Sequence, residues 1–161
     1  MAYLLDANVL IQAKNAHYSF SFCSAFWDWL VAANKAGDVY IIPKVLDEIG
    51  KGKDQLKHWC GMHSSLRAAT HPSLPASLKE VATWTASQGY TAAAVSTFLS
   101  VADYELVAHA HASGGIVVTH EVAVAQRSQK RVKIPEPCKA LGVNYMTPFQ
   151  MLEAEGASFV L

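Results

Sequence analysis

Two hydrophobic periods alternate along this chain. Four short, largely apolar runs, Tyr3–Leu5, Val39–Ile42, Ile116–Val118 and Gly142–Met146, are separated by longer stretches with helical spacing. Short continuous runs of this kind suit strands of a parallel sheet covered on both faces. Ser19–Lys35 places Phe22, Phe26, Trp29, Leu30 and Ala33 on one helical face and stops at Ala36-Gly37. An aromatic stripe at that spacing belongs to a core rather than to base stacking. Pro43 suits a first helical position and opens a helix through Ile49, packed by Val45, Leu46 and Ile49 with Glu48 at the edge of that face. After a turn-like Gly50–Gln55, Leu56–Cys60 reads as a short helix, and His71–Pro75 breaks the chain before helices over Ser77–Ser87 and Tyr90–Ser100. A further helix over Val101–Ala112 buries Leu106, Val107 and Ala110 and stops at Gly114-Gly115. Ile134–Cys138 reads as a rigid turn, and Thr147-Pro148 opens a closing helix. Strands alternating with helices predict an α/β fold built on a doubly wound sheet.

Composition narrows the partners. The chain has 161 residues, 52% of them hydrophobic, with no linker-like stretch, which predicts one domain over residues 1–161. Thirteen Lys and Arg balance thirteen Asp and Glu, so any attraction for nucleic acid must be local. Cys23, Cys60 and Cys138 lie far apart without a Cys-x-x-Cys pair, which points to free thiols in a reducing compartment. No run reaches the ~18 apolar residues of a membrane span, and the start lacks a basic segment followed by a signal-like core. A cytoplasmic protein with no membrane partner is therefore expected. Cys60 and His63 lack the second pair that a structural zinc site needs. His109 and His111 point to different faces of a helix, and no phosphate-cradling Gly-rich loop with Lys-Ser/Thr is present.

The candidate chemistry lies in the acids. Asp6 directly follows the first apolar run, and Glu121 follows the third through Thr119-His120, so two strands deliver carboxylates at their carboxyl ends. That rim is where open parallel sheets gather ligands. Glu48 sits one helix beyond the second strand, and Asp103 opens the helix before the third. Three of the acids have a plain alternative, Asp6 and Asp103 as helix caps and Glu48 as a solvated helix residue. Together they repel one another and lose hydration, which is tolerable only if a cation neutralises them. Oxygen-loving Mg2+ or Mn2+ fits best, and one or two such ions suit hydrolysis of a phosphodiester. The one dense basic patch, Arg127, Lys130, Arg131 and Lys133, follows the strand that leads to this rim and is placed to meet phosphates.

Several blocks resemble one known family. Leu5-Asp6-Ala7-Asn8-Val9-Leu10, Val45-x-x-Glu48, Ala102-Asp103 and Val117-Val118-Thr119-His120-Glu121 resemble, in order, the four acidic blocks of PIN-domain nucleases. Ala13-Lys14-Asn15, Phe26-Trp27-Asp28-Trp29-Leu30 and Lys133-Ile134-Pro135-Glu136-Pro137-Cys138 resemble more narrowly the DUF4411 subfamily. The resemblance covers nearly the whole chain. It implies a three-layer α/β/α fold with a mostly parallel four- or five-stranded sheet, and a Mg2+- or Mn2+-dependent endoribonuclease that commonly serves as the toxin of a toxin and antitoxin pair. It places the metal on Asp6, Glu48, Asp103 and Glu121. The last is one methylene longer than the Asp more usual there, leaving direct and water-mediated coordination both open. Asn8 and Thr119 become supporting or phosphate contacts, and Lys14 a phosphate-holding point charge. RNA is the expected substrate, with an antitoxin or a second copy of the chain as protein partner. A structure-specific DNA nuclease and a non-catalytic binding module are the alternatives.

Overall fold

The computed structural model describes residues 1–160. Its centre is a four-stranded, all-parallel sheet of β1 (Tyr3–Leu5), β2 (Val39–Tyr40), β3 (Ile116–Val118) and β4 (Asn144–Met146), in the order β2-β1-β3-β4. Tyr3, Leu4 and Leu5 pair with Ile116, Val117 and Val118, and those with Asn144, Tyr145 and Met146. Successive strand residues point to opposite faces, and all three residues of β1 are buried. Both faces of the sheet are therefore covered, which makes the three-layer α/β/α arrangement. From β1 the chain steps outward to β2, then returns to the other side of β1 for β3. The crevice at the carboxyl ends of β1 and β3 is thus the switch point of the sheet.

Helices α1 (Ala7–Gln12), α2 (Ser24–Ala36), α3 (Pro43–Gly50), α4 (Gln55–Met62), α5 (Leu74–Ser87), α6 (Ala92–Ser100), α7 (Ala102–Ser113), α8 (Pro135–Leu141) and α9 (Pro148–Ala154) fill the layers. Between α1 and α2 the chain makes one wider π turn, Ala13–His17, closed by the Tyr18 amide on the Ala13 carbonyl at 2.8 Å. The expected stripe of α7 is in place, with Leu106, Val107 and Ala110 fully inside. Gly114 follows in the left-handed conformation that a side chain would strain. None of these helices is long and apolar enough to cross a membrane.

Three expectations shift. The helix foreseen from Ser19 starts at Ser24, because the Phe22 and Cys23 amides turn back onto the Ser19 carbonyl. Phe22 is left 69% exposed, while Trp27 takes the core position and donates its indole N–H to the Tyr18 carbonyl at 2.7 Å. Ile134–Cys138 is the start of α8 rather than a turn, since Pro135 and Pro137 occupy a first turn, where amides have no partner within the helix. The second strand is shorter than Val39–Ile42. Past Tyr40 only Ile41 pairs, by a single parallel bridge to Arg67.

Buried Asn34 fixes this weak sheet edge. Its side-chain amide donates to the Val39 carbonyl at 2.8 Å and the Ser65 carbonyl at 3.1 Å, while its oxygen accepts from the Ser65 hydroxyl at 2.8 Å. Removing it orphans the buried Val39 carbonyl and takes a donor from the half-buried Ser65 carbonyl. Asn34→Ala is expected to cost about 2–4 kcal/mol in urea unfolding, and Ser65→Ala, which leaves both carbonyls paired, about 1 kcal/mol. Equal costs would show that the two carbonyls do not depend on Asn34.

Candidate active site

Because β1 is buried on both faces, a carboxylate at its end inherits a dry environment. Asp6 is only 4% exposed. Burial pushes its carboxyl up to about 6, the Thr119 hydroxyl donating at 3.0 Å opposes the rise, and the charge of Glu121 adds to it. The amides of Ala7 and Asn8 ease the charge only weakly, for no capping hydrogen bond to the Asp6 side chain forms. Asp6 therefore does not act as the helix cap that the sequence allowed.

Asp103 stands in the first turn of α7, and it too makes no cap. That task falls to Glu48 on α3, whose Oε1 accepts the Ala102 amide at 3.0 Å from 54 residues away. Burial comes first among the causes that push Asp103 up to about 7. The charges of Asp6, Glu121 and Glu48 follow, and Arg131 pulls the other way. Among the described residues no protein group donates a hydrogen bond to its carboxylate. The fold thus brings Asp6, Glu48 and Glu121 each within electrostatic reach of Asp103.

Glu121 is held most firmly. Its Oε1 accepts from Arg131 at 2.8 Å and its Oε2 from the Ile134 amide at 2.7 Å. Its own amide donates to the Thr119 hydroxyl oxygen at 3.1 Å, so Thr119, fully buried, ties Asp6 to the start of the 120–134 loop. With Glu48 drawn to a helix end and Glu121 to Arg131, the arms fan outward. Among the described residues no three metal-binding side chains stand close enough to enclose an ion. The donor set still suits a hard divalent cation. Every candidate donor is a carboxylate oxygen, and Asp103 is partly desolvated without a hydrogen-bond donor to balance it.

The residues expected to meet substrate divide. Lys130 and Arg131 line a cavity of about 270 Å³ whose floor includes Asp103, with Thr97, Phe98 and Val132 as walls. Arg127 faces elsewhere. Its guanidinium lies 4.7 Å over the Tyr90 ring and donates to the Gln88 carbonyl at 2.6 Å. Asn8 is exposed on the first turn of α1 beside Asp6. Lys14 is paired with Asp54 rather than free to meet a phosphate. Two groups on this rim went unassigned in the sequence. Glu136 accepts both the Tyr90 hydroxyl at 2.6 Å and the Lys133 amide at 3.1 Å, pinning the far end of the basic loop. His17, His120 and Phe149 meet in a ring cluster next to Glu121 in the chain, and burial together with His17 lowers the basicity of His120. Only the adjacency of His120 to Glu121 hinted at the second group.

A group whose acidity is weaker folded than unfolded stabilises the protein at low pH. Asp103, at about 7 against an ordinary 3.8, and Asp6, at about 6, keep their protons in the folded state where the unfolded chain has lost them. Metal-free stability should therefore fall as pH rises from about 4 through 7. In EDTA, urea unfolding at pH 5 should exceed that at pH 7.5 by on the order of 2 kcal/mol, discounted for the solvent that reaches Asp103. Asp103→Asn should flatten most of this dependence. A wild type with no such slope would show that the two acids are not crowded.

Comparison with known proteins places this geometry. No curated protein matches the chain. Among solved structures the fold is similar to that of a chain in the crystal structure of VapBC2 from Rickettsia felis bound to a DNA fragment from their promoter. The TM-score is 0.55 over 91% of this chain and 98% of that one, at 17% sequence identity. A likeness at that identity is one of fold, and it agrees with the α/β architecture with a mostly parallel sheet expected from the sequence. The family model described as Domain of unknown function (DUF4411) matches residues 3–159, and the chain belongs to that family.

Proposed function

We propose that this protein is a Mg2+- or Mn2+-dependent endoribonuclease that acts in the cytoplasm as the toxin of a toxin and antitoxin pair. The observation that carries the proposal is Asp103, desolvated, without a hydrogen-bond donor, and facing the charges of Asp6, Glu48 and Glu121 at the switch point of the sheet. Such crowding has a use when a divalent cation is bound, because the ion relieves it. When bound, the metal supplies an activated water and a counter-charge for the scissile phosphodiester.

Asp6 and Asp103 would hold the ion directly. Thr119 sets the orientation of Asp6 through its hydroxyl. Glu48 would contribute the oxygen that does not cap α7. Glu121 would act directly or through water, its present partners being Arg131 and the Ile134 amide. Lys130 and Arg131 would attract the phosphates of the strand into the cavity above Asp103, with Asn8 at the rim, and Lys14 would join only on leaving Asp54. The fold shared with a chain of VapBC2, whose complex binds promoter DNA, supports an antitoxin partner, and a second copy of the chain is the alternative one. The engagement of Glu48 and Glu121 in protein contacts favours, as a second reading, a non-catalytic binding module.

Purified protein incubated with labelled RNA and DNA panels in Mg2+, Mn2+ or EDTA separates these readings. RNA cleavage should require metal, and Asp6→Asn should lower its rate more than about 100-fold while the protein still melts cooperatively. Metal-dependent cleavage of DNA alone would replace the RNA assignment. No cleavage in any arm would favour the binding module.

The divided basic patch gives a separate expectation. Lys130→Ala should weaken RNA binding and reduce its log–log salt slope by about 1, as loss of one phosphate contact does. Arg127→Ala should leave the slope unchanged and lower the melting temperature, because it removes the loop's hold on Tyr90 and Gln88. A salt slope that responds to Arg127 and ignores Lys130 would reverse the assignment.

A further inference from the structure

Just past β3 the chain bends, and the Glu121 amide turns back onto the Thr119 hydroxyl oxygen at 3.1 Å. His120 lies at that bend, and consecutive Cα atoms are about 3.8 Å apart, so whatever it forms begins within one residue of Glu121. It forms a three-ring cluster. The His120 ring centroid is 5.7 Å from that of His17 and 5.7 Å from that of Phe149, and His17 meets Phe149 edge to face at 5.4 Å. Three separate elements bring these rings together. His17 closes the π turn after α1, a kind of turn that recurs at functional sites. His120 lies in the bend two residues after β3, and Phe149 stands in the first turn of α9, just after β4.

A cluster serving only the core would be shut away. Here Phe149 is 47% exposed, and His17 is exposed as well. Among the described residues neither imidazole is hydrogen-bonded to another protein group, so the ring-edge nitrogens of both remain open. Two nitrogen-bearing rings and one benzene ring make a poor docking face for an aliphatic partner side chain. They suit a flat heteroaromatic with polar edges.

We propose that His17, His120 and Phe149 form a stacking platform for one unpaired nucleobase of a strand whose backbone enters the adjacent carboxylate cleft. The inference rests on the nuclease reading for what the cleft does, but the platform itself is a binding site and can be read without cleavage. The two flanks of the β3 end then divide the work. The Lys130 and Arg131 side meets the phosphates, while the His120 side holds a base and thereby sets where along an unpaired strand the backbone presents itself. Stacking tolerates any base and is lost when a strand is paired, so the platform selects single strands.

The test uses the Asp6→Asn protein, in which any cleavage is expected to be slowed more than about 100-fold, and a fluorescein-labelled single-stranded RNA 12-mer beside an abasic 12-mer of equal charge. Phe149→Ala in that background should weaken the base-bearing strand about 10-fold and leave the abasic strand unchanged. His17→Ala should act in the same direction, Phe149→Trp should restore affinity, and a 2-aminopurine probe should be quenched by the Trp and Phe forms and not by the Ala form. Equal effects of Phe149→Ala on both strands, or none on either, would overturn the platform. A base-selective loss, in a protein whose Asp6-intact form cuts nothing, would keep the platform and discard the nuclease. Cleavage without a base-selective loss would do the reverse. Melting curves guard the comparison. If Phe149→Ala fails to fold, His17→Ala and the Trp variant decide alone.

Discussion

The 3.0 Å hydrogen bond from Thr119 to Asp6 is the contact on which the rest of this rim depends. It joins residues 113 apart in sequence and spans the two strands that flank the switch point. Without it, Asp6 would be a buried carboxylate with only weakly placed amides to balance its charge. With it, β1 and β3 are locked in register one residue beyond their last paired positions. The Asp6 amide on the Val118 carbonyl at 2.9 Å continues the same ladder. A hydroxyl at this position donates to Asp6 and accepts from the Glu121 amide. A valine would fill the space and orphan both groups.

From that contact the 120–134 loop is held at both ends. Thr119 and Glu121 fix its start, and Glu121 reaches across to Arg131 and the Ile134 amide near its finish. Beyond, Glu136 takes Tyr90 and the Lys133 amide, and the cation of Arg127 lies on the same Tyr90 ring. The basic run is therefore neither a free tail nor a uniformly solvated face. Its cations are sorted by what the loop's anchors leave available, and this is why Lys130 and Arg131 reach the cavity with Asp103 while Arg127 does not.

Much of this was legible in the sequence, because it rests on local rules. Continuous apolar runs gave three of the strands closely, and carboxylates placed directly after two of them marked the rim. Gly114 and the Thr147-Pro148 pair ended and opened helices as their chemistry requires. What escaped depended on partners distant in sequence. Nothing near Ala102 announced that Glu48 would cap its helix, so Asp103 was the natural candidate for a cap it does not make. Nothing near Lys14 announced Asp54. The aromatic stripe of α2 shifted because the choice between Phe22 and Trp27 turned on an acceptor for the indole N–H, the Tyr18 carbonyl, outside the helix. Periodicity locates an apolar face, but it does not reveal where a buried polar atom will find its partner.

The acids show the same division between what is local and what is not. In sequence they are four equivalent carboxylates, and in the fold they are two unlike pairs. Glu48 and Glu121 carry longer side chains, and each reaches a protein donor, one a helix amide and the other a guanidinium and a loop amide. Asp6 and Asp103 are short and desolvated, and they are the pair whose carboxyls are pushed upward. The longer arms are satisfied by helix, loop and guanidinium donors, whereas Asp6 has only the Thr119 hydroxyl and the nearby amides, and Asp103 accepts from no side chain or amide among the described residues. Glu121, one methylene longer than an aspartate would be, is long enough to serve the loop, so the extra reach that made its ligand role ambiguous is also what closes the 120–134 segment over the site.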